Sequence, residues 1–180
     1  MLDMNKTKLH VRSYHNKLYN FDELICKVPE LQQYVIMKND GVKTVDFSNS
    51  KLVYLLNKAL LLHFYDVSYW EVPVENLIPP IPGRADYIHY LADLMGVQSD
   101  GEINVLDIGT GASLIYPLIG SKVYNWNFVA SDIDAKSLLN AENIIKNNPD
   151  LSKKIFLRMQ NNEECILDGI VKSTDFFDAI

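Results

Sequence analysis

"LDIGTGAS", residues 106–113, decides how the rest of the chain is read. Gly109 and Gly111 stand between the apolar run "INVLD" and the apolar stretch "LIYPLIG" at 114–120. A short apolar run bounded by a turn reads as a buried strand, and the stretch after the turn reads as a helix with Pro117 near its first turns. Glycine reaches backbone angles that other residues resist, and it lets a ligand come close to the main chain. Strand, glycine turn and helix together make a cofactor loop. What that loop holds is narrowed by what it lacks. The dinucleotide fingerprint is G-x-G-x-x-G, and the third position here is Leu114. The Gly-Lys-Ser/Thr of a phosphate loop is missing too. Asp107 instead stands at the strand end, which suits a cationic or hydrogen-bond-donating ligand. Ser113 adds a hydroxyl where the helix opens.

The downstream sequence extends the pattern. "WNFVASDID" (126–134) reads as a second strand with Asp132 at its carboxyl end, 21 residues after Gly111. An acid there can accept both hydroxyls of a ribose. "DAKSLLNAENIIKNN" (134–148) reads as a helix capped by Asp134, with Leu138, Leu139, Ala141 and Ile145 near one face and Pro149 ending it. "KIFLRMQ" (154–160) is a third strand, and "FFDAI" (176–180) begins a fourth. Alternating strand and helix predict a parallel, doubly wound α/β sheet, whose ligands bind in the crevice at the strand ends. D-x-G-x-G followed by an acid on the next strand describes an S-adenosylmethionine site. An NAD-type cofactor and a purely structural turn stay open as alternatives.

Upstream the rhythm differs. Residues 1–20 are polar and aperiodic and read as an arm. "FDELICKVPELQQYV" (21–35) predicts short helices interrupted at Pro29, and Asp40-Gly41 predicts a turn before a brief extended piece. "SKLVYLLNKALLLHFYD" (50–66) is helical, with Ser48 or Ser50 as N-cap and His63 at the edge of the core. Four prolines between 73 and 82 predict an extended connector. A helix is then expected from Arg84 to Met95, with Tyr87, Ile88, Leu91, Leu94 and Met95 inward and Gly96 at its C-cap. The expected organisation is a basic arm at 1–20, a small, mostly helical module with its connector at 21–82, and a partial Rossmann-like domain at 83–180.

Composition narrows the class. The chain has 180 residues, is 48% hydrophobic and carries a net charge of −6. Lys6, Lys8, Arg12 and Lys17 against Asp3 leave the arm at +3 and the remainder at −9. A basic arm on an acidic body permits a polyanion partner. Cys26 and Cys165 are isolated, which fits ordinary thiols of a reducing compartment rather than a zinc site. No apolar run approaches the ~20 residues of a membrane span. The expectation is a cytoplasmic protein with no metal and no membrane partner.

Two longer blocks carry a resemblance. "PPIPGRADYIHYLADLM" (79–95) and "LDIGTGASLIYPLIG" (106–120) resemble the bacterial 23S ribosomal RNA adenine-N(6) methyltransferases of the RlmF type. "VDFSNSKLVYLLNKALLLHFY" (45–65) and "ASDIDAKSLLNAENIIKNNP" (130–149) look like the same family, a class I Rossmann-like methyltransferase. The resemblance implies S-adenosylmethionine as cofactor and 23S ribosomal RNA as partner. Gly109 and Ser113 would contact the cofactor, Asp132 would hold its ribose, and Arg84 would pair with its methionine carboxylate. Gln160 to Asn162 would lie near the adenine. The family's basic arm has a His-x-Arg-Asn pattern, which here reads His10-Val11-Arg12-Ser13 without the asparagine. Lys8, His10, Arg12, Tyr14 and Lys17 are the expected RNA contacts, since basic and aromatic residues suit phosphates and stacked bases.

The family places Asn-Pro-Pro-Phe after its fourth strand to hold the target amine and stack on the base. These 180 residues contain no such motif. The expectation is that it falls beyond Ile180, that this chain is the cofactor-binding part of a longer enzyme, inactive alone, and that the sheet edge near Phe176, Phe177 and Ile180 invites self-association.

Overall fold

The structure is a computed structural model that describes residues 9–96 and 102–180. Three parallel strands form the expected sheet: β3 (Asn104–Ile108), β4 (Asn127–Asp132) and β5 (Ile155–Met159). β4 lies in the middle, with Leu106 opposite Val129 and Val129 opposite Phe156. The fourth strand is only a beginning. Val105 and Ala179 form a parallel bridge, the Leu106 amide donates to the Ala179 carbonyl at 3.0 Å, and the Asp178 amide donates to the Asn104 carbonyl at 2.8 Å. The chain thus crosses from β5 back to β3, so strand order reverses at β3. A crevice opens at such a reversal, at the carboxyl ends of the strands.

Two helices cover one face: α4 (Ile115–Tyr124) and α5 (Ala135–Lys146). Asp134 caps α5 as expected, accepting from the amides of Lys136 and Ser137, both at 3.1 Å. Leu138, Ala141, Ile144 and Ile145 face inward, but Leu139 is exposed, since it falls a third of a turn off that stripe. α4 lies very close to the sheet at Gly120. A Cβ there would sit 2.5 Å from the Phe128 ring and 3.2 Å from Trp126.

The N-terminal portion holds α1 (Phe21–Lys27), a 3-10 turn at Pro29–Tyr34, and an antiparallel hairpin of β1 (Val35–Met37) and β2 (Lys43–Val45). Gly41 closes the hairpin turn with a φ of +79°. α2 (Ser50–Phe64) is capped by Asn49, not by Ser48 or Ser50. Asn49 Oδ1 accepts the Leu52 amide at 3.1 Å. His63 sits at the core edge as expected, 3.2 Å from Glu23.

α3 (Ile81–Leu94) starts three residues before the expected Arg84. Pro82 is accommodated because a first-turn residue needs no N–H partner and proline already has a helical φ. The Ile81 amide is satisfied by Asn57 Oδ1 of α2 at 3.2 Å. The inward face agrees in part. Ile88 is buried and Leu91 and Met95 pack against the core as expected, whereas Tyr87 and Leu94 are exposed and Ile81, Ala85, His89 and Ala92 are buried in addition. Ala85, His89 and Ala92 are buried by their neighbours, and no apolarity pattern signals that choice.

The 82/83 boundary expected from sequence therefore falls inside α3, and the core does not divide there. One cluster of buried side chains runs from Phe21 and Leu24 through Trp70 to Phe128 and Ile155. Trp70 is fully buried and stacks on Tyr54 at 5.8 Å. Burying a large apolar side chain contributes roughly 2–3 kcal/mol, so this continuity is a strong tie between the two portions. Asn148 reinforces it. Fully buried, it accepts from the amides of Ser68 (2.7 Å) and Tyr69 (3.3 Å) and donates to the carbonyls of Tyr69 and Ile144, both at 2.8 Å. Among the described residues no helix is long and apolar enough to cross a membrane.

Residues 9–20 are not a free arm. The His10 amide donates to the Asp86 carboxylate, and its ring nitrogen Nε2 lies 2.8 Å from Asp93 Oδ2. Arg12 Nη2 donates to the His89 carbonyl (2.9 Å) and to Asp93 Oδ1 (2.5 Å). His15 Nε2 meets the Tyr65 hydroxyl at 2.8 Å, and Tyr19 reaches His15 Nδ1 at 3.0 Å. The segment is bound to α3 and to the end of α2.

Candidate cofactor site

The glycine loop hangs from the ends of β3 and β4. The amides of Gly109 and Thr110 both donate to the Ser131 carbonyl, at 2.8 and 2.9 Å. The Gly111 amide donates to Asp132 Oδ2 at 2.7 Å, while Asp132 Oδ1 accepts the Asp134 amide at 2.9 Å. Asp132 thus shapes the loop and the start of the α5 cap together. Gly109 and Gly111 have φ of +76° and +65°, and nothing lies within 4 Å of where a Cβ would sit at either. Both glycines are required by conformation, and the space beside them is open. Leu114 also takes a left-handed conformation, φ +53°, although it is leucine and fully buried. In the dinucleotide fingerprint the third glycine lets helix and strand pack closely. Here a leucine side chain fills that space.

Two cavities meet at Gly109. One, of about 320 Å³, is lined by Ile108, Gly109, Asp132, Ile133, Gln160 and Asn162. The other, of about 280 Å³, is lined by Asn76, Arg84, Gly109, Gly111, Ser113 and Tyr116. A larger groove of about 520 Å³ lies at the opposite ends of the strands, beside Asn104, Asn127 and Phe156. There the Arg158 guanidinium is already paired with Asp175, and parallel sheets bind ligands at their carboxyl ends. The pair of cavities at the glycine loop is the candidate site.

Its polar groups are poised rather than satisfied. Asp107 Oδ2 and Thr110 Oγ1 are sealed from solvent without a hydrogen-bond partner. Burial raises the Asp107 pKa and the nearby Asp132 charge adds to the rise, while the neighbouring Thr110 side chain opposes it. A desolvated carboxylate lacking a partner is costly, and a ligand that donates hydrogen bonds or carries positive charge relieves the cost. In the second cavity Arg84 projects from the first turn of α3. Its Nη1 donates to the Tyr116 hydroxyl at 2.9 Å, and the guanidinium lies 5.5 Å from the Tyr116 ring centroid. Tyr116 orients a planar cation that can grip a carboxylate with two bonds. Gln160 is nearly buried, donates to the carbonyls of Cys165, Ile166 and Asp168, and so folds the loop that closes the first cavity.

The structure brings Arg84, Gly109, Gly111, Ser113 and Asp132 around the two cavities, with Gln160 and Asn162 beside Asp132. Asp107 lies behind the loop at the end of β3. The N-terminal residues are elsewhere. Lys8 falls outside the described residues. His10 is buried, stacked at 5.3 Å on His89, and not available at a surface. That corrects the expectation of a His10 contact with RNA: its imidazole is an anchor between α3 side chains. Arg12, Tyr14 and Lys17 remain exposed, with Tyr14 stacked on Phe64 at 5.7 Å. Residues missed from sequence include Tyr116, Trp70 and Asn140. Tyr116 lies inside the block that carries the family resemblance, so it was findable. Asn140 sits on an exposed-looking helix turn and carried no signal. Among the described residues no group of three or more potential ligands is placed to hold a metal.

A family described as RNA methyltransferase matches residues 3–180. The chain is 48% identical over 174 residues to a ribosomal RNA large subunit methyltransferase F of Psychrobacter sp. (strain PRwf-1), covering 94% of this chain and 53% of that protein. It is similar to the N-terminal domain of human METTL16 solved in complex with SAH, with TM-score 0.82 and 30% identity, covering 93% of this chain and 65% of that one. It is also similar to the METTL16 catalytic domain in complex with a MAT2A 3′UTR hairpin, with TM-score 0.77 and 31% identity, covering 87% and 55%. The chain spans about half the length of the curated relatives it matches. The match extends over almost the whole chain, and the chain belongs to this RNA methyltransferase family.

Proposed function

We propose that this chain binds S-adenosylmethionine at the two cavities and serves an enzyme that methylates an adenine N(6) amine of 23S ribosomal RNA. The observation that carries the reading is the pair of cavities joined at Gly109, with an aspartate for a ribose in one and an arginine for a carboxylate in the other. S-adenosylmethionine has that polarity: adenosine at one end, an amino acid at the other, and a sulfonium between. When bound, it supplies an electrophilic methyl group. The chain's own residues hold it. Asp132 accepts ribose hydroxyls with the lone pairs left after its amide bonds. Arg84, steadied by Tyr116, grips the carboxylate. Asp107, desolvated behind the loop, supplies negative potential to the cationic portion. The open glycines let the loop backbone approach the ligand.

The SAH-bound neighbour supports the cofactor, and the curated relatives' names support a ribosomal substrate. Adenine N(6) rests on the family resemblance of the blocks at 79–95 and 106–120. The exposed Arg12, Tyr14 and Lys17 are the N-terminal candidates for RNA contact, by charge and stacking. An NAD-type cofactor is disfavoured by the buried Leu114 side chain.

Calorimetry tests the cofactor: S-adenosylhomocysteine binds this chain and NAD does not, and the reverse order overturns the reading. Nucleoside mass spectrometry of ribosomal RNA from cells with and without the gene tests the substrate. Loss of N(6)-methyladenosine from 23S RNA is expected, and an unchanged profile rejects that target.

A further inference from the structure

Two side chains outside the glycine loop hold its carbonyls. Asn140, on α5, donates from Nδ2 to the Ala112 carbonyl and to the Glu71 carbonyl, both at 2.8 Å. Trp70 Nε1 donates to the Ser113 carbonyl at 2.9 Å. Trp70 is itself immobilised, fully buried and stacked on Tyr54. Two consecutive carbonyls of the loop are thus drawn toward α5 and toward residues 70–71. In a planar trans peptide the following N–H points opposite to the carbonyl. Fixing the Ala112 and Ser113 carbonyls therefore fixes the Ser113 and Leu114 N–H groups, turned away from the clamp. Ala112 and Ser113 both line the cavity that Arg84 enters.

The other cavity does not depend on these bonds. Its wall is set by the Gln160 amide donating to the Asp132 carbonyl at 2.9 Å and by the Asp132 side chain on the Gly111 and Asp134 amides. The clamp acts on one half of the site only.

We propose that Asn140 and Trp70 are positioning residues for the carboxylate-bearing end of the cofactor, which rests on the S-adenosylmethionine reading above. They touch no ligand. They hold the loop backbone so that its N–H groups and Arg84 converge on one carboxylate. Through Trp70 and Glu71, the N-terminal portion of the chain takes part in cofactor selectivity.

The experiment compares two probes by calorimetry: S-adenosylhomocysteine and 5′-methylthioadenosine, which keeps the adenosine and thioether and lacks the amino acid. Asn140→Ala should weaken S-adenosylhomocysteine by about tenfold or more, as expected for misplacing a charge-assisted bond, and 5′-methylthioadenosine by less than about threefold. Trp70→Phe keeps a stacked ring and removes only the N–H donor, so it should give the same selective loss with a folded circular dichroism spectrum. A purely structural role would weaken both probes alike. Equal losses, or none in either variant, overturn the proposal while leaving the cofactor reading intact. Failure of the unsubstituted chain to bind either probe overturns the cofactor reading and this proposal with it.

Discussion

The glycine loop at 109–114 and the N-terminal segment at 9–20 are both short, and both carry polar side chains. They use their polar groups in opposite ways. At the loop and the strand end behind it, Thr110 Oγ1 and Asp107 Oδ2 are buried without a hydrogen bond, and open space lies beside both glycines. In the N-terminal segment, His10, Arg12 and His15 are tied to Asp86, Asp93, Tyr65 and the His89 carbonyl. Buried groups without a hydrogen bond are what a ligand site leaves open, whereas groups paired within the chain hold the fold together. Polar side chains therefore mark a candidate site in one place and a clamp in the other, and the partners distinguish them.

Acid gives the largest expected effect, and it acts on the clamp. His15 and His89 are both pushed down to about 4, chiefly by burial, with His15 further disfavoured by His89, and His89 by His10 and Arg12. The unfolded chain protonates these rings near 6.5. Between those values the unfolded state binds more protons, so stability falls as pH drops from about 6.5 toward 4. Each histidine contributes up to about 3 kcal/mol to that fall. Thermal melts should show it, and His15→Gln should flatten the profile. A melting temperature constant across that window would break the comparison.

Asp132→Ala should act on the site instead. It removes the acceptor for the Gly111 amide and, with it, the proposed ribose acceptor, so S-adenosylhomocysteine affinity should drop by about 100-fold. Calorimetry checks this, and an affinity within threefold or so of the parent would detach Asp132 from the ligand.

Asp107→Asn is the smaller and sharper test, because stability and binding should move in opposite directions. The raised Asp107 pKa means that its contribution to stability is lost as pH rises above the ordinary carboxylate value, so at neutral pH the charge costs stability. The neutral amide should stabilise the ligand-free chain by about 1 kcal/mol while weakening S-adenosylmethionine, which carries the sulfonium, about tenfold and S-adenosylhomocysteine, which lacks it, by less. A variant less stable than its parent at neutral pH would show that the Thr110 contact outweighs the cost of burying the charge.

Much of the Rossmann-like portion was legible because its signals are local. The strand runs at 104–108, 127–132 and 155–159, the Asp134 cap and the Gly109 and Gly111 turn all follow from period, capping and backbone freedom. Asp132 was legible for the same reason, as an acid at a strand end. The N-terminal portion was less so. α3 began early because Asn57, 24 positions upstream, satisfies its first amide. Its buried face held Ala85, His89 and Ala92 rather than Leu94, because a neighbour's shape decided the contact.

By itself, then, the sequence determined the order of strands and helices, the left-handed glycines and the acid that faces them, since each depends on residues within a few positions. Only the tertiary structure decided that His10 is an anchor rather than a surface contact, that Tyr116 steadies Arg84, and that Trp70 and Asn140 hold the loop from outside. Those bonds join residues far apart along the chain, and no local pattern encodes a partner that packing alone brings near.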